Sequence, residues 1–217
     1  MMKAVLFDLD GTLIDSAPQL VGALNQLRQN YDLPPIPFLK GRPFASHGAA
    51  GLLKAGFDMD KSDPLFDKRI QEFLAIYIEI FNKDVQCMEG IEDLITNLNH
   101  KKITWGIVTN KAKKFAAPIV DSHPLLKHSQ CLIAGDDVNT PKPSPEGLIK
   151  ASQIIKTNSS DIIYLGDDRR DVIAANEAGM ISMVARYGYL EAGDDAKNWD
   201  AQHIIDEPKD LLSYLNL

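Results

Sequence analysis

KAVLFDLDGTLID, residues 3–15, is an apolar run that ends in acidic residues and a glycine. The run at 4–7 predicts a buried strand, and Gly11 predicts the turn after it. Side chains two residues apart share one face of a strand, so Asp8 and Asp10 are expected side by side at its carboxyl edge. Adjacent carboxylates beside a core repel each other unless a cation or a shared proton compensates. The pair therefore favours a hard divalent cation that prefers oxygen ligands, such as Mg²⁺.

Beyond Met88 the sequence alternates between strand-like and helix-like segments. This alternation predicts an α/β fold with a Rossmann-like parallel sheet, whose strands are joined by right-handed helical crossovers. Ligands of such sheets bind at the carboxyl ends of the strands, where Thr109, Asn110 and Asp167 are expected to join the acidic pair. Strands are predicted over 102–109, 131–134, 161–165, 181–184 and 203–205, and a final helix from Pro208.

The segment between the first strand and Met88 has a helical pattern instead. Helix-start signals at Ser16 and Pro18 precede leucines at helical spacing, and a long apolar stripe runs from Phe66 to Phe81. No stretch from Ser16 to about residue 85 predicts a strand. We therefore predict a helical cap domain inserted after the first strand. Its expected residues are 16–87, and those of the core are 1–15 and 88–217.

DLDGTLID at residues 8–15 resembles the first motif of the haloacid dehalogenase-like hydrolases. Three further pieces match the motifs of that family in order: Thr109-Asn110, Pro-Lys-Pro around Lys142, and Gly-Asp-x-x-x-Asp at 166–171. Each piece alone is explained by a turn, a rigid loop or a helix cap. Because they occur in the family's order, each at or near a predicted strand end, the chain is identified as a member over its whole length.

The resemblance implies a phosphoryl-transfer role for five of these residues. Asp8 is the expected nucleophile that forms an aspartyl-phosphate, which water then hydrolyses. Asp10 is the expected acid that protonates the leaving group and the base that then activates water. Thr109 and the Asn110 backbone are expected to bind phosphoryl oxygens. Lys142 is expected to neutralise the developing charge and to orient the nucleophile.

The same resemblance implies a Mg²⁺ cofactor. Its expected ligands are Asp8, Asp167 and the carbonyl of Asp10. Asp171 is expected behind them, where it supports Lys142 or the water molecules of the metal.

The helical insert resembles the bundle-type cap of the phosphoglycolate phosphatases, a cap that excludes water and contacts the distal part of the substrate. Arg42 is expected to bind a substrate carboxylate, and Ser46, His47 and the Gly48 amide to reach other polar groups. A solvated arginine and a loop histidine are the plain alternative.

A polar and aromatic loop near the end of the chain resembles a different branch. Arg-Tyr-Gly-Tyr at 186–189 and Asn198-Trp199, together with the context of Thr109, are similar to the N-acetylmuramic acid 6-phosphate phosphatases. Arg186 either shapes the substrate mouth or fastens this loop to the core. The expected partner is therefore a small phosphomonoester, and the sequence does not choose between 2-phosphoglycolate, an amino-sugar phosphate and others.

Composition excludes several classes of partner. A net charge of -7 argues against nucleic acid, since phosphate backbones need clustered Lys and Arg. The sequence has no apolar stretch of membrane-spanning length and no signal-peptide pattern. Its two cysteines, Cys87 and Cys131, predict no disulfide framework and fit the cytoplasm. We expect a monomer or a weak homodimer.

Four alternatives to phosphate-ester hydrolysis differ in which of these motifs they need. A phosphomutase would keep all of them, and an assay of phosphate release against isomerisation separates the two activities. A dehalogenase needs neither magnesium nor Asp10. A phosphonate-cleaving relative lacks the second acid of the first motif and uses a cap lysine. A catalytically silent binding module is expected to have lost a motif acid, and none is lost here.

Overall fold

The computed structural model describes residues 2–190 and 193–215. Its largest layer is a six-stranded sheet in which every neighbouring pair is parallel, as predicted. The strands of the described chain are β1 (Ala4–Phe7), β2 (Ile14–Asp15), β3 (Gln86–Cys87), β4 (Thr104–Val108), β5 (Leu132–Ile133), β6 (Ile162–Gly166), β7 (Ile181–Ala185) and β8 (His203–Ile205). The α-helices are α1 (Ala17–Gln29), α2 (Phe38–Gly41), α3 (Gly48–Phe57), α4 (Phe66–Tyr77), α5 (Ile91–His100), α6 (Lys113–Ser122), α7 (Glu146–Ile154) and α8 (Arg169–Glu177).

Strand β1 lies between β4 and β6 in the order β5-β4-β1-β6-β7-β8. All four of its residues are buried, and its two faces belong to different apolar clusters. Val5 and Phe7 face one cluster, where the Phe7 ring meets Trp105 edge-on at 6.3 Å. Ala4 and Leu6 face the other. Burial on both faces explains why this strand is apolar throughout rather than alternating.

The predicted cap helices lie after β1, where α1, α3 and α4 pack on one another. Helix α4 ends at Tyr77, so the apolar stripe that was predicted to continue to Phe81 ends in turns. Helix α3 was not predicted, because its first turns contain Gly48 and Gly51 and look like a loop. At Gly51 a Cβ atom would lie 2.4 Å from the Cβ of His47, so this glycine lets the helix pack against the preceding 3₁₀ turn.

Strands β2 and β3 form an antiparallel ribbon where the chain enters and leaves the cap. The ribbon pairs Ile14 with Cys87 and Asp15 with Gln86. A two-residue strand carries no periodicity, so sequence patterning could not find it. The division at 15/16 and 87/88 remains a prediction, and the ribbon lies at both points.

The last segment differs in type from its prediction. Pro208–Tyr214 is a 3₁₀ helix rather than an α-helix, and its Leu211 is fully buried. 3₁₀ turns are frequent as connectors and at helix ends, although a run of seven residues is uncommon. Across 2–190 and 193–215, no helix is both long enough and apolar enough to cross a lipid bilayer.

Candidate active site

Acidic side chains from separate parts of the chain converge at the carboxyl edge of the sheet. Strand β1 runs into Asp8, whose backbone N–H donates to the Leu165 carbonyl of β6 at 2.9 Å. Strand β6 runs into Asp167. Carboxylate oxygens of Asp8, Asp167 and Asp171 all lie within 4.8 Å of one another. The expected meeting of the first and last acidic motifs therefore occurs in the fold.

Lys142 stands among these acids. Its Nζ lies 2.8 Å from Asp8 Oδ1 and 2.7 Å from Asp171 Oδ1, and its side chain is 3% exposed. The same Nζ donates to the Val108 carbonyl at 3.1 Å and to the Tyr164 hydroxyl at 2.7 Å. A lysine with this set of partners has little freedom to move. It is fixed as a point charge next to Asp8.

Two local structures hold this arrangement. Asp168 caps α8, and the Asp171 side chain accepts from the Asp168 backbone N–H at 3.1 Å, which completes a capping box and aims Asp171 at the site. The side chain of Asn110 accepts from the Lys142 backbone N–H at 2.9 Å and donates to the Lys142 carbonyl at 2.8 Å. The Asn110 side chain therefore holds the loop that contains Lys142. The backbone N–H of Asn110 is still available for the predicted contact with the phosphoryl group.

The acids are electrostatically crowded. Burial raises the pKa of Asp8 to about 6, although the ion pair with Lys142 opposes this rise. Burial also raises the pKa of Asp167 well above its usual range, and the neighbouring charges of Asp8 and Asp171 add to it. Burial alone would lower the pKa of Lys142, but the carboxylates of Asp171 and Asp8 outweigh it and raise the pKa.

A divalent cation fits this donor set. Three carboxylates that share one place, with a single lysine among them, are relieved by a cation with oxygen ligands. Two glycines leave space around Asp167: a Cβ atom at Gly11 would lie 2.2 Å from its Oδ2, and one at Gly188 would lie 2.2 Å from its Cβ. Thr12 Oγ1 donates to Asp167 Oδ1 at 3.1 Å and fixes its orientation.

The Asp10 side chain lies apart from this acidic cluster. Its Oδ1 accepts hydrogen bonds from the Ser16 hydroxyl and, at 2.9 Å, from Lys111 Nζ. This placement agrees with the prediction that the Asp10 carbonyl binds the metal while the Asp10 carboxylate acts as acid and base.

The Thr109 hydroxyl can still donate a hydrogen bond. Its Oγ1 accepts from the Lys111 backbone N–H at 3.1 Å, so the hydroxyl proton remains available for a phosphoryl oxygen.

The four predicted cap residues lie near the site in different ways. Ser46 Oγ lies 3.4 Å from Asp167 Oδ2, and His47 Nε2 lies 3.4 Å from Asp168 Oδ2. Gly48 begins α3 and lines the cleft between cap and core that is described below. Arg42 does not face this cleft as expected, because its Nη1 donates to the Gly188 carbonyl at 3.1 Å. The Arg42 guanidinium also lies 4.8 Å from the Tyr189 ring centre. These contacts fasten the cap to the loop of residues 186–189.

Between cap and core lies a cleft of about 670 Å³ that contains Asp8, Asp10 and Thr109. Its lining includes aliphatic and aromatic side chains and five lysine or arginine side chains. The apolar part, called the apolar wall below, includes Leu20, Ala45, Ala49, Phe73, Leu74 and Phe115; the basic residues are Lys61, Lys111, Lys114, Lys142 and Arg170.

Several residues that shape the site were absent from the sequence prediction. The sequence predicts Tyr164 only as a residue of a buried strand, and no neighbouring residue in the sequence predicts its contact with Lys142. Tyr189 donates its backbone N–H to Asp167 Oδ2 at 2.8 Å and its hydroxyl to Asp15 Oδ1 at 2.7 Å. Lys111 is the only one of these three residues that the sequence could have indicated, since it directly follows the motif residues Thr109-Asn110.

Arg186 was predicted either to shape the substrate mouth or to fasten its loop to the core. It pairs with Asp206 at the surface and fastens its loop.

Comparison with known proteins gives the family. The model of the haloacid dehalogenase-like hydrolases matches residues 5–185. The chain is 34% identical over 215 residues to an N-acetylmuramic acid 6-phosphate phosphatase of Pseudomonas aeruginosa, covering 99% of this chain and 95% of the relative. It is 35% identical over 212 residues to a phosphoglycolate phosphatase of Xanthomonas campestris pv. campestris, covering 96% and 94%.

A crystal structure shows the same fold at lower identity. It is that of a predicted phosphoglycolate phosphatase of Haemophilus somnus, with a TM-score of 0.84 and 22% identity, covering 98% of this chain and 97% of that one. The resemblance drawn from the motifs is confirmed by these matches. The chain therefore belongs to the haloacid dehalogenase-like hydrolases and is a phosphatase of that family.

Proposed function

We propose that the protein hydrolyses a small phosphomonoester through an aspartyl-phosphate on Asp8. The convergence of Asp8, Lys142, Asp171 and Asp167 on one point of the sheet edge carries this proposal. An Asp8 oxygen attacks phosphorus while the bond to the leaving oxygen breaks. Asp10 gives its proton to that oxygen and later removes a proton from the water that attacks the phosphoenzyme. Inorganic phosphate leaves, and the Asp8 carboxylate is restored.

Other residues bind charge in this scheme. Lys142 Nζ, 2.8 Å from Asp8 Oδ1, holds the nucleophile and faces the charge that develops on the phosphoryl oxygens. The Thr109 hydroxyl and the Asn110 backbone N–H donate to those oxygens. Asp8, Asp167 and the Asp10 carbonyl are the proposed holders of Mg²⁺, with Asp171 supporting them through Lys142. When bound, the ion neutralises phosphoryl charge and lets an anionic substrate approach a carboxylate.

Chelation is expected to stop turnover. Because the ion supplies several kcal/mol of charge stabilisation, excess EDTA should lower the rate of p-nitrophenyl phosphate hydrolysis at least about 100-fold, and added Mg²⁺ should restore it. A cation that binds the folded state also raises the unfolding temperature. Saturating Mg²⁺ should therefore stabilise the wild type and should stabilise Asp167→Asn much less. Turnover that persists in EDTA would exclude the metal role.

The cleft favours a substrate larger than 2-phosphoglycolate. A volume of about 670 Å³ lies within the range that encloses a drug-sized ligand, and its apolar wall has nothing to contact on a two-carbon acid. An amino-sugar phosphate with an acyl group and a carboxylate would meet both that wall and the basic residues Lys61 and Lys114 of the same cleft. We therefore favour the substrate named for the Pseudomonas relative, N-acetylmuramic acid 6-phosphate, as the second and more specific candidate.

A panel of phosphomonoesters tests this choice. The kcat/KM for N-acetylmuramic acid 6-phosphate is expected to exceed that for 2-phosphoglycolate at least about 10-fold, because differential contacts of the distal group are worth one to three kcal/mol. Replacing Leu74 of the apolar wall with Asp should lower the ratio of the kcat/KM for N-acetylmuramic acid 6-phosphate to that for 2-phosphoglycolate. A higher kcat/KM for 2-phosphoglycolate would instead favour the phosphoglycolate phosphatase reading.

The proposed compartment is the cytoplasm. Cys87 and Cys131 are both free thiols, which suits a reducing environment. Burial raises the pKa of Cys131 to about 11, so this thiol stays protonated and unreactive at neutral pH.

A further inference from the structure

Lys111 is a largely buried cation that the proposed reaction leaves without a role. Its side chain is 8% exposed, and its Nζ lies 2.9 Å from Asp10 Oδ1 and 3.3 Å from Asp10 Oδ2. The same Nζ lies 2.9 Å from the hydroxyl oxygen of Tyr77. Lys111 belongs to the core loop after β4, whereas Tyr77 ends helix α4 of the cap. One ammonium group therefore joins the proposed acid to the cap.

Both partners of Lys111 are held in place from other directions. The Ser16 hydroxyl also donates to Asp10 Oδ1, so the carboxylate is held between a hydroxyl and an ammonium. The Tyr77 ring packs 5.1 Å from Phe115 of the core and 5.9 Å from Phe73 of the cap, and Tyr77 is 3% exposed. The position of Nζ is therefore determined from the cap and from the core together.

We propose that Lys111 is a positioning residue for the Asp10 carboxylate and that Tyr77 makes this positioning depend on a closed cap. The inference rests on the proposed function, in which Asp10 protonates the leaving oxygen. As Asp10 gives up its proton it becomes an anion, and an ammonium already in contact with both of its oxygens stabilises that change in the transition state. When Tyr77 moves away with the cap, the ammonium loses a fixed acceptor and is free to be hydrated.

A comparison of leaving groups separates a positioning role of Lys111 from a role in substrate binding or folding. p-Nitrophenolate leaves without help from an acid, whereas an aliphatic alkoxide needs a proton. The kcat/KM covers steps only up to the first irreversible one, the departure of the leaving group, so it omits the later use of Asp10 as a base. The aliphatic probe is N-acetylmuramic acid 6-phosphate or 2-phosphoglycolate, whichever has the higher wild-type kcat/KM.

Lys111→Met is expected to lose about 10- to 100-fold more kcat/KM on the aliphatic ester than on p-nitrophenyl phosphate, as for a misplaced catalytic group. Tyr77→Phe keeps the ring packing and is expected to show a smaller loss with the same selectivity, so it serves as the test if Lys111→Met does not fold. Lys113→Met removes an exposed lysine that pairs with Asp137 and should leave both values unchanged.

Asp10→Asn is the reference variant, with an expected selective loss of about 10²- to 10⁴-fold. If Asp10→Asn shows the selective loss and neither Lys111→Met nor Tyr77→Phe does, the positioning role is wrong and the proposed function stands. If Lys111→Met only raises KM, equally for both esters, Lys111 binds substrate and the inference is overturned. Absence of selectivity in Asp10→Asn itself would contradict the acid role in the proposed function, and the inference with it.

Discussion

Asp8→Asn is expected to lower phosphate release at least about 10⁴-fold, on aryl and aliphatic esters alike, because removal of a nucleophile removes the reaction path itself. Asparagine has the size of aspartate and keeps the backbone hydrogen bond from residue 8 to the Leu165 carbonyl. Its amide oxygen is neutral and a poor nucleophile. The loss should therefore appear in kcat, and the circular dichroism spectrum of the variant should match that of the folded wild type.

The matched control for this substitution is Asp58→Asn. The Asp58 side chain is 89% exposed and far along the chain from the motifs, and its backbone has φ of 53°, which asparagine tolerates well. It should retain wild-type turnover within about twofold, as a surface change away from the site. An Asp8→Asn enzyme that keeps a tenth of wild-type turnover would show that another group attacks phosphorus.

Lys142→Met is expected to damage both stability and catalysis. Asp171, 1% exposed, would be left as a buried carboxylate that has lost its cation, and breaking such a pair costs about 3–5 kcal/mol. The phosphoryl group would lose the positive charge next to Asp8, so the rate should fall at least about 10²-fold. Urea unfolding and kcat measure the two effects separately.

A double substitution separates these two losses. In Lys142→Met/Asp171→Asn no unpaired charge remains at position 171, so most of the free energy of unfolding should return while the rate stays low. Lys3→Met removes a lysine from an exposed pair with Asp161 and should leave both quantities nearly unchanged. A double variant that regains wild-type turnover would show that Lys142 acts only on folding.

The parts of the site that follow strand periodicity could be predicted from the sequence. Asp8 and Asp167 each directly follow a strand whose apolar character is obvious, and parallel strands bring their carboxyl ends to one edge. Lys142 was found through its motif, and its order in the chain relative to the strand ends was sufficient to place it. These predictions needed only local patterning and the topology of a parallel sheet.

Predictions failed where a side chain had several acceptors within reach in the fold. Arg42 was expected at a substrate carboxylate, but its guanidinium contacts the Gly188 carbonyl and the Tyr189 ring. Asn110 was expected to bind phosphate through its backbone, which stays a prediction, but the contact of its side chain with the Lys142 backbone was not predicted. The contacts of Tyr77 with Lys111 and of Tyr164 with Lys142 join residues tens of positions apart, so no spacing in the sequence reports them.

The central claim is that Asp8 takes the phosphoryl group from the substrate. Acid quenching during the first turnover, followed by peptide mass spectrometry, tests it directly. We expect a phosphoryl group on Asp8 in the wild type and none in Asp8→Asn. In Asp10→Asn with p-nitrophenyl phosphate the label should accumulate, because departure needs no acid and hydrolysis lacks its base. Phosphate released with no labelled Asp8 in any of these enzymes, or a label on another residue, would contradict the account.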